Sequence, residues 1–158
     1  MSRPTLLVVD DDANLFQGLE LSLRKEYRLL SAPDASTALR LLASEPVDLV
    51  LADYRMPGMD GLAFLELVRN RFPDTVRIVL TGHVSAEVAI RAMNEAEVYR
   101  FLEKPVDRNE LLVTLYLAHE KLKLDREHRR LHGLMHGDPE VPAQRPVPLG
   151  RTQDAAKA

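Results

Sequence analysis

Six polar residues whose side chains could bind a metal ion or a phosphate lie at the ends of short apolar runs. They are Asp10, Asp11 and Asp12 after the first run, Asp53 at the end of the third, Thr81 after the fourth and Lys104 after the fifth. Carboxylates crowded together repel one another, so such a group is costly without a cation. Oxygen ligands suit a hard divalent ion, and Mg²⁺ commonly takes one or two carboxylates together with a phosphate. We therefore predict a magnesium site in which the hydroxyl and the ammonium group meet phosphate oxygens.

The elements that must position these residues alternate along the chain. Apolar runs predict strands at Thr5–Asp10, Tyr27–Ala32, Val47–Asp53, Thr75–Leu80 and Val98–Leu102. The first, third and fourth are nearly continuous in apolar residues, which is typical of strands buried on both faces of a parallel sheet. Segments of helical period follow each strand, and Asp34 and Asp60 stand at N-cap positions. Five alternating strands and helices predict a doubly wound α/β sheet, whose sites form beyond the carboxyl ends of its strands.

Four motifs, in this order and at this spacing, resemble the receiver domain of two-component response regulators. They are LLVVDDD, LVLADYRMPGMDGL, VLTG and FLEKP. The resemblance covers residues 4 to about 122. It implies a flavodoxin-like fold with five helices around a five-stranded parallel sheet of strand order 2-1-3-4-5. It also implies that Asp53 is the phosphoacceptor. The implied ligands of Mg²⁺, or alternatively of Mn²⁺, are Asp10, Asp11, Asp53 and the backbone carbonyl of Arg55.

The same resemblance assigns roles to residues near the later strands. Thr81 and Lys104 match the phosphate-contacting pair, and Phe101 matches an aromatic that reorients during switching. Simple core packing is the alternative for Phe101. The resemblance also implies a cis peptide bond before Pro105. Asp12 is an additional acid, which we assign to the first helix cap or to the rim of the pocket.

Two further side chains are expected at the mouth of the site. Arg55 lies two residues beyond Asp53, and His83 lies two residues beyond Thr81. We expect both to modulate the reset rate by shielding the phosphoryl group or orienting water. The alternative is that both are solvent-exposed loop residues without a role.

The expected function is a phosphorylation switch. A sensor histidine kinase would donate a phosphoryl group to Asp53 in a Mg²⁺-dependent step, and a face for a downstream output protein or domain would change. The domain would promote its own phosphorylation and dephosphorylation without being an enzyme in the usual sense. One alternative is a non-phosphorylated pseudo-receiver, against which the complete residue set argues. Another is a Mg²⁺-dependent phosphohydrolase, although such enzymes usually carry the nucleophile in a D-x-D pair on the first strand.

Composition changes toward the C-terminus. We predict a receiver domain over residues 1–122, a helical extension of the last helix over 123–136, and a Pro-rich disordered tail over 137–158. Leu117, Leu124 and Leu131 are seven apart, which hints at a short coiled coil. A homodimer through the last helix, or through the face of the fourth helix, fifth strand and fifth helix, is therefore a further expectation.

Three histidines recur every four residues near the end of the last predicted helix: His128, His132 and His136. They could be metal ligands, or they could be solvated side chains without a ligand.

Composition limits the remaining functional classes. The chain has no cysteine, which excludes disulfides, Cys-ligated zinc, iron–sulfur clusters and thiol catalysis. Its net charge of −3 gives no general reason to expect nucleic acid, and we predict no direct DNA binding. No stretch reaches the length of a membrane span, so we expect a cytoplasmic protein without membrane contact. The stretch AMNEAEVYRFLEKP is similar to receivers joined to hydrogenase-type transcription activators or to HD-type cyclic-dinucleotide phosphodiesterases.

Overall fold

Strands and helices alternate through the residues that the computed structural model describes, 3–83 and 85–135. The strands are β1 (Thr5–Val9), β2 (Arg28–Ala32), β3 (Leu49–Asp53), β4 (Val76–Thr81) and β5 (Arg100–Glu103). The helices are α1 (Ala13–Leu23), α2 (Ala35–Ser44), α3 (Gly61–Arg71), α4 (Ala86–Arg91) and α5 (Arg108–Met135). A π-helical turn, Ala92–Ala96, directly continues α4 and is called the π turn below.

The five strands form one parallel sheet in the order β2-β1-β3-β4-β5, which confirms the predicted fold. The register pairs Val9 with Ala52 and Asp53 with Leu80. The carboxyl ends of β1, β3 and β4 therefore lie side by side at one edge of the sheet. Every residue of these three central strands is buried, as the continuous apolar runs predicted.

Two hydrophobic clusters cover the two faces of the sheet. Alternate strand residues such as Leu7 and Val50 pack with α2, α3 and the π turn on one face. Their neighbours Leu6 and Leu49 pack with α1 and α5 on the other face. This alternation follows from the two-residue side-chain period of a strand, and it fixes the sheet between two helical layers.

Three aspartates are the N-caps of helices. The sequence predicted this role for Asp34 and Asp60, and for Asp12 it gave the cap as one of two possibilities. The carboxylates of Asp12, Asp34 and Asp60 accept hydrogen bonds from backbone N–H groups in the first turns of α1, α2 and α3. These bonds satisfy N–H groups that have no partner within the helix. Asp12 is therefore the cap of α1.

Strand boundaries near the site differ slightly from those predicted. β4 includes Thr81, and β5 begins at Arg100 rather than Val98. The reason is local: the Val98 N–H bonds to Ala92 O and closes the π turn, so it cannot enter the sheet ladder. A run of apolar residues does not show this competition between helix and sheet.

The last helix is long and continuous. α5 spans 28 residues, and its buried side chains recur at Leu111, Leu115, Ala118 and Leu122, as predicted. Leu117, Leu124 and Leu131 are exposed on another face. The predicted extension over 123–136 is helical as far as Met135, whereas residue 136 and the predicted tail over 137–158 lie outside the described residues. No helix in the described ranges is both long and apolar enough to cross a membrane.

Candidate functional site

Three of the four aspartates meet beyond the carboxyl ends of β1 and β3. Carboxylate oxygens of Asp10, Asp11 and Asp53 lie within 4.8 Å of one another. Asp10 and Asp53 are buried, and Asp11 is exposed. Asp12 does not belong to this cluster, because its Oδ1 accepts from the N–H groups of Asn14 and Leu15. Sheet order thus brings together residues that are more than forty positions apart in the chain.

Backbone N–H groups hold one oxygen of each buried carboxylate. Asp10 Oδ1 accepts from Asp12 N at 2.9 Å, and Asp53 Oδ1 accepts from Arg55 N at 3.2 Å. Fixed donors of this kind orient a carboxylate before any ligand arrives, because the donors belong to the backbone. The second oxygen of each carboxylate is left for partners in the site.

Lys104 supplies the positive charge of the site. Its Nζ lies 3.1 Å from Asp10 Oδ2 and 3.1 Å from Asp53 Oδ2. The backbone N–H of Lys104 donates to Thr81 O at 2.8 Å. This hydrogen bond fixes the backbone from which the Lys104 side chain extends. Partial burial lowers the pKa of Lys104, but the attraction of the Asp10 and Asp53 carboxylates outweighs this effect, and the pKa is raised overall. The lysine is therefore charged at neutral pH.

Thr81 is buried at the end of β4, but its hydroxyl faces its own loop. Thr81 Oγ1 donates to His83 O at 2.9 Å and accepts from His83 N at 3.2 Å. The hydroxyl is thus engaged in the loop that leads to α4. Any contact with an oxygen bound at Asp53 requires this hydrogen bond to be exchanged.

The cluster fits a divalent cation of the magnesium type. Three carboxylates face one ammonium group, which leaves an excess of negative charge. Asp10 Oδ2 is buried and makes no hydrogen bond within the described residues, although it lies in ion-pair range of Lys104. All the candidate side-chain ligands are oxygens, as Mg²⁺ and Mn²⁺ prefer. A cation here would remove the repulsion and give the buried oxygen a partner.

One residue important to the site escaped sequence reasoning. A Cβ on Gly61 would lie 2.4 Å from Asp53 O and 2.8 Å from Tyr54 Cα, so only glycine fits at the start of α3. Its N–H also donates to Tyr54 O at 2.7 Å. The close approach holds the backbone that carries Asp53. The pair Asp60-Gly61 after a strand-end aspartate was the available signal, but it indicated only a helix cap.

The structure also describes the remaining residues singled out in the sequence. Phe101 is half-buried and packs against the hydrophobic cluster on the face of the sheet that α2 and α3 cover. The side chains of Arg55 and His83 are exposed. The Lys104–Pro105 peptide bond is cis. Position alone does not assign a role to these four residues.

Comparison with known proteins decides the family. The family model described as the response regulator receiver domain matches residues 6–116. The chain belongs to the response regulator receiver domain family. This receiver domain is therefore a component of two-component signalling, and the family interpretation of the four motifs is confirmed.

Similar proteins include regulators with further domains. The hydrogenase transcriptional regulatory protein HoxA of Cupriavidus necator is 39% identical over 129 residues, which are 82% of this chain and 27% of that protein. The signal receiver domain of an HD domain-containing protein from Pseudomonas fluorescens Pf-5 is 41% identical, with a TM-score of 0.76 over 80% of this chain and 94% of the other. The beryllofluoride-activated NtrC4 receiver domain dimer is 32% identical, with a TM-score of 0.70 over 75% and 98% of the two chains.

The chain is short beside the curated proteins that it matches. It spans 27% of HoxA from Cupriavidus necator and 25% of the HoxA protein from Bradyrhizobium diazoefficiens. A hydrogenase regulator and an HD-domain protein are also the kinds of protein whose receivers the stretch AMNEAEVYRFLEKP resembles. The similarity therefore concerns the receiver part of such regulators.

Proposed function

We propose that this receiver domain accepts a phosphoryl group on Asp53 from a phosphohistidine of a sensor histidine kinase, with Mg²⁺ bound by Asp10, Asp11, Asp53 and the Arg55 carbonyl. One observation carries the proposal: the Asp53 carboxylate lies within 4.8 Å of two other carboxylates and 3.1 Å from the Lys104 ammonium. A carboxylate nucleophile needs neutralisation of the charge on the incoming group, and Lys104, together with a cation held by the carboxylates, would supply it.

The chemical step is a displacement at phosphorus. An Asp53 oxygen forms the O–P bond as the N–P bond of the donor histidine breaks, and the electron pair returns to the imidazole nitrogen. Lys104 stabilises negative charge on the transferred oxygens, and Asp10 and Asp11 would help to hold the Mg²⁺ ion, which would supply further neutralisation of that charge. Water later attacks the phosphorus, the O–P bond to Asp53 breaks, and inorganic phosphate leaves, which regenerates the Asp53 carboxylate. The domain thereby favours both its own phosphorylation and its own reset.

Switching follows from the position of Thr81. A phosphoryl oxygen on Asp53 competes with His83 O for the Thr81 hydroxyl, so the loop before α4 moves. We propose that the surface formed by α4, β5 and α5 changes as a result, with Phe101 reorienting in the space that opens. An output protein or domain then binds this surface in one state only.

Two other functions make different predictions. A pseudo-receiver needs no complete acidic cluster and no lysine beside it, whereas both are present here. A Mg²⁺-dependent phosphohydrolase places its nucleophile on the first strand, whereas Asp53 ends β3. The geometry therefore supports the switch better than either alternative.

The test is phosphorylation by a small-molecule donor. Incubation with Mg²⁺ and acetyl phosphate is expected to add about 80 Da, the mass of one phosphoryl group, to the wild type and nothing to Asp53→Asn. Omission of Mg²⁺ abolishes the addition. Phosphate release without an adduct indicates the hydrolase, and no reaction at all indicates the pseudo-receiver.

Partners follow from the same proposal. The kinase is the phosphoryl donor. We propose that the output lies in another domain or protein, which is consistent with a chain that spans about a quarter of the HoxA proteins. We propose that residues 3–135 contact no DNA directly and act in the cytoplasm. A homodimer through α5, or through the α4–β5–α5 face, completes the proposed assembly.

A further inference from the structure

The C-terminal end of α4 and its π turn is held by arginines from two other elements. Arg69 of α3 donates to Asn94 O at 3.4 Å and to Glu95 O at 2.9 Å. Arg77 of β4 donates to Ala96 O at 2.7 Å and to Glu97 O at 3.4 Å. The last carbonyls of a helix have no partner within the helix. Here four successive carbonyls each receive an arginine N–H.

Within this arginine pair, Arg69 and Arg77, only Arg77 is buried, whereas Arg69 lies at the surface. Arg77 is buried, at 7% exposure, and its third donor group bonds Thr75 O at 2.7 Å. Glu97 adopts a left-handed conformation with φ of 47°, which is unusual for a residue with a side chain. Its carboxylate lies 2.9 Å from Arg69 and 3.9 Å from Arg77, so both arginines contact this residue.

The rest of α4 is attached weakly by comparison. The structure describes all six residues of α4, Ala86–Arg91, and none of them is buried. Its N-terminal end is fixed by the Ser85 cap and by the hydrogen bond between the Thr81 hydroxyl and His83 O. In the π turn, by contrast, Ala92 and Ala96 are fully buried.

One strand therefore contacts both ends of α4. Arg77 and Thr81 are four residues apart on β4, so their side chains leave the same face of the sheet. Thr81 bonds the loop before α4, and Arg77 bonds the carbonyls after it. Of these two attachments, only the Thr81 hydrogen bond involves a group that a phosphoryl group on Asp53 would attract.

We propose that Arg77, with Arg69, makes the C-terminal end of α4 a fixed pivot, about which the N-terminal end moves when the Thr81 hydroxyl leaves His83 O. Arg77 and Arg69 are thus positioning residues for the switch. They keep the backbone of the π turn and of the start of β5 in place while α4 moves and the Phe101 side chain reorients. The pivot exists without phosphorylation, whereas its use in signalling rests on the function proposed above.

Hydrogen exchange of the unphosphorylated full chain tests the pivot itself. The reporters are the amides of Val98, which bonds Ala92 O, and Tyr99, which bonds Arg77 O. In Arg77→Gln and Arg69→Gln we expect these amides to exchange on the order of tenfold faster, with β1 and β3 amides unchanged. Arg91→Gln is the matched control, because Arg91 lies on α4 and pairs only with Glu95 among the described residues. Thr81→Ala should accelerate residues 85–91 and leave Val98 and Tyr99 unchanged.

The outcomes separate the pivot from a general structural role. Faster exchange throughout the sheet in both arginine variants, or no change at Val98 and Tyr99, overturns the pivot. If Arg77→Gln does not fold, Arg69→Gln decides, since Arg69 is at the surface. A second arm adds beryllofluoride and Mg²⁺: amides of α4 should respond in both proteins, whereas Val98 and Tyr99 should keep their exchange rates in the wild type and exchange faster in Arg69→Gln. Absence of any beryllofluoride response alongside local loosening in the first arm contradicts the proposed function but leaves the pivot supported.

Discussion

Lys104, which follows β5, reaches across β4 to Asp53 at the end of β3, with 3.1 Å between Nζ and Oδ2. The same ammonium lies 3.1 Å from Asp10 Oδ2, beyond β1. One lysine thus joins the ends of three strands at one edge of the sheet. Because it contacts the carboxylate without being the attacking atom, its role can be separated from that of Asp53.

Replacement of Lys104 should slow phosphorylation without abolishing it. In Lys104→Ala, we expect labelling by acetyl phosphate to be roughly 10- to 100-fold slower, because charge stabilisation is lost but the nucleophile remains. Lys121→Ala, which removes an exposed lysine of α5, is the control. Mass spectrometry over time measures both rates. A complete loss of labelling, equal to that of Asp53→Asn, would contradict this division of roles.

Magnesium affinity should depend on Asp11 and Asp53 but not on Asp12. Replacement by Asn removes one negative charge from the cluster at Asp11 or Asp53, and we expect a loss of about tenfold or more in affinity. Asp12→Asn is the matched control, since asparagine also caps helices and Asp12 faces the α1 backbone. Calorimetric titration with Mg²⁺ measures each variant. The largest loss in Asp12→Asn would show that the ligand assignment is wrong.

Gly61→Ala should destabilise the fold and disturb Asp53. The added Cβ would lie 2.4 Å from Asp53 O, so the backbone must shift, at a cost of about 2–4 kcal/mol. Gly18→Ala is the control, because nothing lies within 4 Å of a Cβ there; on the exposed side of α1 it should stabilise by about 0.5–1 kcal/mol. Urea unfolding gives both values. Similar effects of the two substitutions would refute the close-approach argument.

The side chain of Arg55 should prolong the life of the phosphorylated form. A guanidinium lying over the phosphoryl oxygens shields them from water, so Arg55→Ala should lose phosphate several-fold faster, about threefold or more. The backbone N–H of residue 55 still donates to Asp53 in this variant. Phosphate loss is followed after donor removal, with Arg40→Ala as an exposed-arginine control. Slower loss would mean that Arg55 assists the water, and equal loss would leave it without a gating role.

Alkaline pH should weaken the contribution of Lys104 to stability. Its pKa is raised above 10.5 in the folded protein, so its ion pairs stabilise fully below that pH and are lost as pH rises through the folded pKa. The difference in unfolding free energy between the wild type and Lys104→Gln should be constant from neutral pH to about 10.5 and shrink above it. Burial also raises the pKa of Tyr27, but that effect is common to both proteins and cancels in the difference. Metal-free urea titrations along the pH range measure it, and a difference that grows at high pH would contradict the ion-pair assignment.

The sequence by itself determined the fold class and the edge of the sheet at which the acidic residues meet, whereas the structure showed that Asp12 is not one of the clustered acids. Continuous apolar runs can only be buried on both faces, and parallel order then brings Asp10, Asp53 and Lys104 to one edge. The N-caps were equally predictable, since an aspartate before a helical segment bonds N–H groups within three residues. Such features depend on local chemistry or on strand order, and both follow from the order of residue types along the chain.

Only the tertiary structure decided what the polar groups bond in three dimensions. The turn of the Thr81 hydroxyl toward His83 O, the contact that excludes a Cβ at Gly61, and the arginines on the π turn all depend on distances between separate elements. Arg77 stands in an apolar strand where a sequence pattern offers no partner for its charge. Its partners are backbone carbonyls nineteen and twenty residues later, and carbonyls carry no signature in the residue types.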